Sequence, residues 1–474
     1  MTTSPGPSGT KPLAALVAAV AGYALMQTLV VPALGLLGEE LDASPTWTAW
    51  VLTAFLLSSA VLTPLLGRLG DQYGRRRVLR WVLVVQVVAC AGAAVAGNIG
   101  ELIAARAVQG AGLSVLPLAI GILREALPAD RAALGTGLVS GVMGVGAGAG
   151  LVAGGLIADH TTWRALFVLG ALLAAVSLLL VTAWVRDDGH PAGGRLDPAG
   201  AVLLGGGLAA ALLALTEGPA WGWGSWRTVG LFALAAVLLA LLAVVESGRR
   251  DALVDIREFT HRPMLVTHLA AFAFGALSYV FYVALPQFAR TPHETAGYGF
   301  GATVTGAGLL MLPSALVMLP AGMSAGRFPR RAGESAPLVT GFLVCGAGAL
   351  LLAVAHGAAW QHLVFYTLVG VGSGLVMAAL PQRISALTPP SRTGTANGLN
   401  NIARTVGGAV GSQVTALFLT PGAAGGPVGD SAYGGLFLVA TGIGLAGAVI
   451  APLAIGARRD TGEPTATAPL PERA

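Results

Sequence analysis

Gly67-Arg68-Leu69-Gly70-Asp71-Gln72-Tyr73-Gly74-Arg75-Arg76-Arg77 stands out in a chain that is only 10% charged. Apolar runs over 47–67 and 78–97 bound it on both sides. A helix rises about 1.5 Å per residue, so about 20 apolar residues cross the hydrocarbon of a bilayer. The stretch therefore reads as a tight turn between two membrane helices. Glycine permits the reversal of the chain. Asp71 is placed to cap a helix start or to pair with a nearby arginine such as Arg124 or Arg131. The arginine run marks the side of the membrane on which basic residues stay.

Working outward, fourteen apolar runs can be marked, near 13–36, 47–67, 78–97, 101–126, 132–157, 163–185, 198–216, 227–246, 264–290, 301–324, 336–355, 360–382, 395–421 and 433–457. The hydrophobic share is 55%, and there are 68 glycines. This composition suits close-packed helices in lipid and leaves no charged surface for a large soluble body. With both termini on the cytoplasmic side, 22 of the 27 basic residues fall in inner segments. The outer loops then hold only Arg164, Arg227 and Arg290, while Arg106 and Arg404 lie within spans. The expected fold class is thus all-α integral membrane. The first run is read as a retained helix. Residues 1–12 and 458–474, poor in large apolar side chains, are expected to be disordered cytoplasmic segments.

Other classes fall away on residue counts. Lys11 is the only lysine, so a Gly-x-x-x-x-Gly-Lys phosphate loop cannot be written and the chain carries no such ATPase. There is no His-Glu-x-x-His, Cys-x-x-Cys or nucleophile elbow, and the chain is expected not to be an enzyme. Cys90 and Cys345 each lie in an apolar run and are read as buried thiols without a disulfide. No metal, cofactor or nucleic-acid partner is implied. The net charge of +5 follows from the one-sided arginines.

The chain repeats itself weakly. Gly67-Arg68 and Gly74 recur as Gly326-Arg327 and Gly333, Gly135-Thr136 as Gly394-Thr395, and Gly110 and Gly112 as Gly370 and Gly372. The shared offset pairs spans 1–6 with spans 9–14. It divides the chain into a six-helix half over 13–185, two linking helices within 186–263 and a second six-helix half over 264–457. Two parallel halves with a site between them near the midplane are a known transporter layout.

The 67–77 stretch resembles the signature Gly-x-Leu-x-Asp-x-x-Gly-Arg-[Arg/Lys] of the major facilitator superfamily. The resemblance implies a major facilitator fold in which Gly67, Asp71, Gly74, Arg75 and Arg76 form a conformational latch at the inner ends of the halves. Arg106-Ala107-Val108-Gln109-Gly110-Ala111-Gly112 is similar to the family's Arg-x-x-Gln-Gly-x-Gly motif, which implies that Arg106 and Gln109 act in proton coupling. Span 5 holds Gly144, Gly146, Gly148, Gly150, Gly154 and Gly155, and resembles the glycine-rich pivot of exporting members, without their usual proline. Trp163-Arg164-x-x-Phe167 and the span count resemble the fourteen-helix drug:proton antiporter branch. Members of that branch often carry Leu-Asp-x-Thr in span 1; here Leu25-Met26-Gln27-Thr28 stands in its place.

No acidic residue falls near the middle of a span, so His268 and Glu217 join Asp71 as candidate proton carriers. A cavity without a carboxylate is a poor host for a desolvated dication, which favours neutral, weakly basic or anionic amphiphiles. Gln27, Tyr279, Tyr282, Gln287, Asn397, Asn401 and Arg404 are the candidate cavity residues; Asn397, Asn401 and Arg404 share one helix face. The expected function is export of small amphipathic organic compounds in exchange for protons by alternating access. It would act as a monomer in the cell membrane, with the lipid bilayer, protons and a small-molecule substrate as its partners. An importer on the same fold and a non-transporting membrane subunit are the rival readings.

Overall fold

The structure is a computed structural model that describes residues 10–43, 45–186, 197–247, 261–328, 333–389, 393–419 and 428–454. Both expected disordered segments lie almost wholly outside the described residues. Among the described residues fourteen long helices follow one another: α1 (Thr10–Leu29), α2 (Pro45–Tyr73), α3 (Arg75–Ala94), α4 (Ile99–Ala126), α5 (Ala129–His160), α6 (Arg164–Trp184), α7 (Pro198–Trp221), α8 (Trp226–Ser247), α9 (Arg262–Arg290), α10 (Val304–Ser324), α11 (Ala336–Val354), α12 (Ala359–Leu387), α13 (Thr393–Leu419) and α14 (Asp430–Ile450). Thirteen of them are long and apolar enough to cross a membrane. The fourteenth, α13, has the length, at 27 residues, but carries Asn397, Asn400, Asn401 and Arg404, which lower its apolarity. Bulky apolar side chains face outward, as on Val88, Leu179 and Val244, which suits a molecule whose solvent is lipid.

The helices pack in a repeated pattern. In the first half α1 contacts α5 and α6, α2 contacts α4, and α3 contacts α4 and α6. In the second half α9 contacts α13 and α14, α10 contacts α12, and α11 contacts α12 and α14. Two seams join the halves, α2 against α13 and α5 against α10. Each seam pairs the second helix of one half with the fifth of the other, as a pseudo-two-fold relation requires. The linking helices α7 and α8 pack on each other, and α7 rests on α2 and α13. α8 buries only Thr228, Ala235, Leu242 and Glu246, a narrow stripe with the remaining faces turned outward.

The glycines of α5 explain how it serves two partners. A Cβ added at Gly146, Gly150 or Gly154 would strike the backbone of α1 at Ala21, Leu25 or Leu29. A Cβ at Gly144, Gly148 or Gly155 would strike Met318, Ala315 or Thr305 of α10. One face therefore fits α1 within its own half, the other fits α10 across the seam. Thr28 closes the first contact by donating to the Ala147 carbonyl at 2.6 Å.

Candidate functional site

The 67–77 stretch departs from a loop. α2 continues through Gly67 and Gly70 to Tyr73, and the reversal is made by Gly74 alone, with φ +98°. Asp71 thus sits in the last turn of α2 rather than at a helix start, and its carboxylate accepts from Arg75 Nε at 2.9 Å and NH2 at 2.7 Å. The same buried guanidinium donates to Glu125 Oε1 at 2.6 Å and to the Gly121 carbonyl at 3.1 Å, both on α4. Arg76 donates to the Thr182 carbonyl of α6 at 2.8 Å. These bonds gather α2, α3, α4 and α6 of one half. Across the halves, Arg124 donates to the Thr393 hydroxyl, and Gln382 Nε2 to the Ala133 carbonyl at 3.1 Å. Both cross-half bonds lie at the arginine-rich end.

At the opposite end Trp163 is fully buried and its indole N–H donates to Glu40 Oε2 at 2.9 Å. Arg164 stacks over the Trp163 ring at 4.3 Å and donates to the Ala96 carbonyl. The Trp-Arg pair thereby pins the short helix Leu34–Glu40 to the α3–α4 turn.

Between the halves lies a cavity of about 400 Å³. Its wall draws on α1, α2, α5, α9, α10, α12 and α13. Of the sequence-derived candidates, Gln27, Tyr279, Tyr282 and Arg404 line it, together with Gly144 and Gly148 of the α5 seam. The Tyr279 and Tyr282 rings lie 6.1 Å apart and tilted by 32°. Asn397 and Asn401 line instead a small neighbouring pocket of about 30 Å³, with Arg404 on the border of both. Asn401 Oδ1 accepts from Arg404 NH2 at 2.6 Å, and Asn397 is tied to the Thr393 carbonyl at 3.0 Å. Gln287 lies elsewhere, in an open cleft with Pro286 and Arg290. Gln287 stands about a turn and a half beyond Tyr282, which carries it past the cavity.

Arg106 is 1% exposed and does not line the cavity. Its guanidinium lies 4.3 Å from the centre of the Phe55 ring, and Phe55 does line it. Arg106 NH1 donates to Gln109 Oε1 at 2.8 Å and Nε to the Val51 carbonyl at 3.3 Å, while NH2 has no hydrogen-bond partner. Its bonded partners are therefore neutral, in a setting where an unpaired cation is costly. The polar side-chain atoms of Gln86 are also buried without partners in the same half. His268 on α9 is buried and Glu217 on α7 is half-buried; neither lines the cavity. The four candidate coupling residues are thus one bonded pair and two separate sites.

Sequence reading missed most of the apolar wall. Phe55, Phe274, Phe281, Met143, Met311, Met318 and Met377 line the cavity. An aromatic or methionine facing a cavity has the same sequence signature as one facing lipid, so no signal could have found them. Ser278, Ser314 and Ser373 were within reach of a search for polar residues inside spans. Among the described residues no Asp or Glu lines the cavity, and Arg404 is its one charged side chain.

The comparisons with known proteins agree with this architecture. The tetracenomycin C resistance and export protein of Streptomyces glaucescens is 29% identical over 419 residues, covering 86% of this chain and 75% of that protein. The puromycin resistance protein pur8 of Streptomyces alboniger is 30% identical over 398 residues, covering 81% and 76%. The crystal structure of the human organic anion transporter MFSD10 superposes with a TM-score of 0.67 at 18% identity, covering 94% of this chain and all of that one. These relatives include antibiotic resistance and efflux proteins, and the superposed structure shares the fold. The model of the Major Facilitator Superfamily matches residues 16–412. With two repeated six-helix halves, a cavity on the seam and this match over most of its length, the chain belongs to the major facilitator superfamily as a multi-pass membrane transporter.

Proposed function

We propose that this transporter exports small amphipathic organic compounds of drug or antibiotic type, in exchange for protons, by alternating access. The observation that carries the reading is the cavity of about 400 Å³ enclosed between two halves whose contacts repeat. A site on a seam between two rigid bodies is reached from one side or the other as the bodies rock. The resistance and export proteins among the relatives support the outward direction. Both termini face the cytoplasm in this reading, which the one-sided arginines support, and one chain suffices for transport. The cross-half bonds of Arg124 and Gln382 then close the cytoplasmic end.

Asp71, Arg75, Glu125 and Gly74 hold α2, α3 and α4 as one block, so that the cytoplasmic ends of the first half move together. Arg106 and Gln109, one aromatic ring away from the cavity, serve in coupling. The two-faced glycines of α5 serve as the sliding surface.

The test is proton-gradient-driven accumulation of amphipathic fluorescent dyes in inverted membrane vesicles, comparing the native chain with Arg106→Ala at matched expression. Gradient-dependent uptake that Arg106→Ala abolishes is expected. Uptake driven in the opposite direction would establish an importer. No gradient-dependent movement of cationic, neutral or anionic dyes would sink the broad-export reading.

A further inference from the structure

We propose that the cavity selects amphipathic organic anions, with Arg404 as the counter-cation and the Tyr279–Tyr282 pair as the surface on which a flat ring lies. The proposal rests on the reading of this cavity as the substrate site and names the class of substrate it takes.

Three observations converge. First, Arg404 is the one charged side chain on the wall among the described residues, and it also borders the asparagine pocket beside it. Neither lining contains a carboxylate. The hydrogen bond described for the guanidinium is to Asn401, a neutral amide, which orients the group without neutralising it. A guanidinium offers five donors in a planar fork, so Arg404 retains donors that suit a carboxylate, phenolate or enolate.

Second, the backbone holds this cation beside the tyrosines. A Cβ at Gly275 of α9 would strike the Arg404 carbonyl, and a Cβ at Gly408 of α13 would lie 2.6 Å from the Tyr279 ring. α9 and α13 are pressed together at this level, and Arg404, Tyr279 and Tyr282 line the same cavity. Phe281 and Tyr366, with ring centres 5.5 Å apart, extend the aromatic surface.

Third, a second cation stands behind Phe55. Arg106 has neutral bonded partners and an NH2 group with none. The centre of the molecule therefore carries two guanidinium charges and no described acid on the cavity wall. In a medium of low dielectric constant such a field attracts an anion and repels a cation over the whole width of the cavity. The substrate supplies the missing negative charge.

The experiment compares fluorescein and rhodamine 123, which share a xanthene ring system and differ in charge. Binding to purified full-length protein in detergent is read by fluorescence anisotropy. Native protein is expected to bind fluorescein at least about tenfold more tightly than rhodamine 123, the factor that one charge-assisted hydrogen bond supplies. Arg404→Gln removes this preference, whereas Arg404→Lys keeps its sign. Rhodamine 123 binding equal to or tighter than fluorescein binding overturns the proposal. So does a lack of fluorescein binding, or a preference that survives Arg404→Gln. The native comparison needs no variant, so an Arg404→Gln protein that fails to fold leaves the test intact. If the preference holds but no gradient moves fluorescein or any other dye of the set across vesicles, the anion site stands and the export reading falls.

Discussion

Arg106 makes its hydrogen bonds to neutral groups while 1% exposed. A cation kept at such a place for packing alone would be replaceable. Exchanging a buried unpaired charge for an apolar side chain of similar length is often neutral or stabilising. Arg106→Met should therefore lower thermal stability by no more than about 1 kcal/mol, read by dye-free thermal unfolding in detergent. It should still abolish gradient-driven transport. A large loss of stability would identify Arg106 as a structural residue instead. Arg75 is the opposite case, because its guanidinium bridges the buried Asp71 and Glu125, whose side chain is 33% exposed. Arg75→Ala removes that bridge and should destabilise by about 3–5 kcal/mol, the range for breaking a buried ion pair from one side. The expected sign is a lower unfolding midpoint with α2, α3 and α4 loosened together.

On the level of single helices, α5 shows what a glycine pattern does once its partners are in place. Gly154 lies against the Leu29 carbonyl of α1, a backbone atom that cannot yield. Gly154→Ala should cost about 1–3 kcal/mol of stability, as overpacking does, measured as a fall in the midpoint of thermal unfolding. Gly148 lies against the Ala315 methyl on the seam and on the cavity wall. Gly148→Ala should show first in transport, as a slower rate at a stability closer to native. Equal effects of the two substitutions on both readouts would argue against separate roles for the two faces. α13 carries a related lesson. Its asparagines face one way, as helical spacing implies, yet Asn397 and Asn401 are bound up with Thr393 and Arg404 rather than open to the large cavity.

Considered as a whole, the molecule is two similar bodies joined along two seams. The described cross-half hydrogen bonds lie at the arginine-rich end, from Arg124 to Thr393 and from Gln382 to Ala133. If rocking of the halves opens this end, tying it shut must stop the cycle. A double cysteine variant at positions 124 and 393, oxidised in vesicles, should lose transport and regain it on reduction. Each single variant should stay insensitive to oxidant. The native Cys90 and Cys345 are buried and free, so they leave the assay undisturbed. Full transport with the cross-link in place would show that these ends need not part.

Much of this architecture follows from the chain itself. A span needs length and apolarity, and the side of each loop needs only arginine, so the helices and their sequence order could be read residue by residue. The 27-residue α13 was legible as the run over 395–421, although its asparagines and Arg404 make it less apolar than the other spans. The turn at Gly74 was legible as a turn, but not as a single residue, because helix ends depend on what packs against them. Tyr279, Tyr282, Gln27 and Arg404 were found as polar groups inside spans. The methionines and phenylalanines around them were not, since lipid and cavity select the same side chains. Which helix faces meet across the seams, that Asn397 and Asn401 sit behind the cavity and that Gln287 lies beyond it were decided by tertiary packing alone. Those outcomes depend on distances between segments far apart in sequence, whereas a span depends only on the transfer free energy of the residues within it.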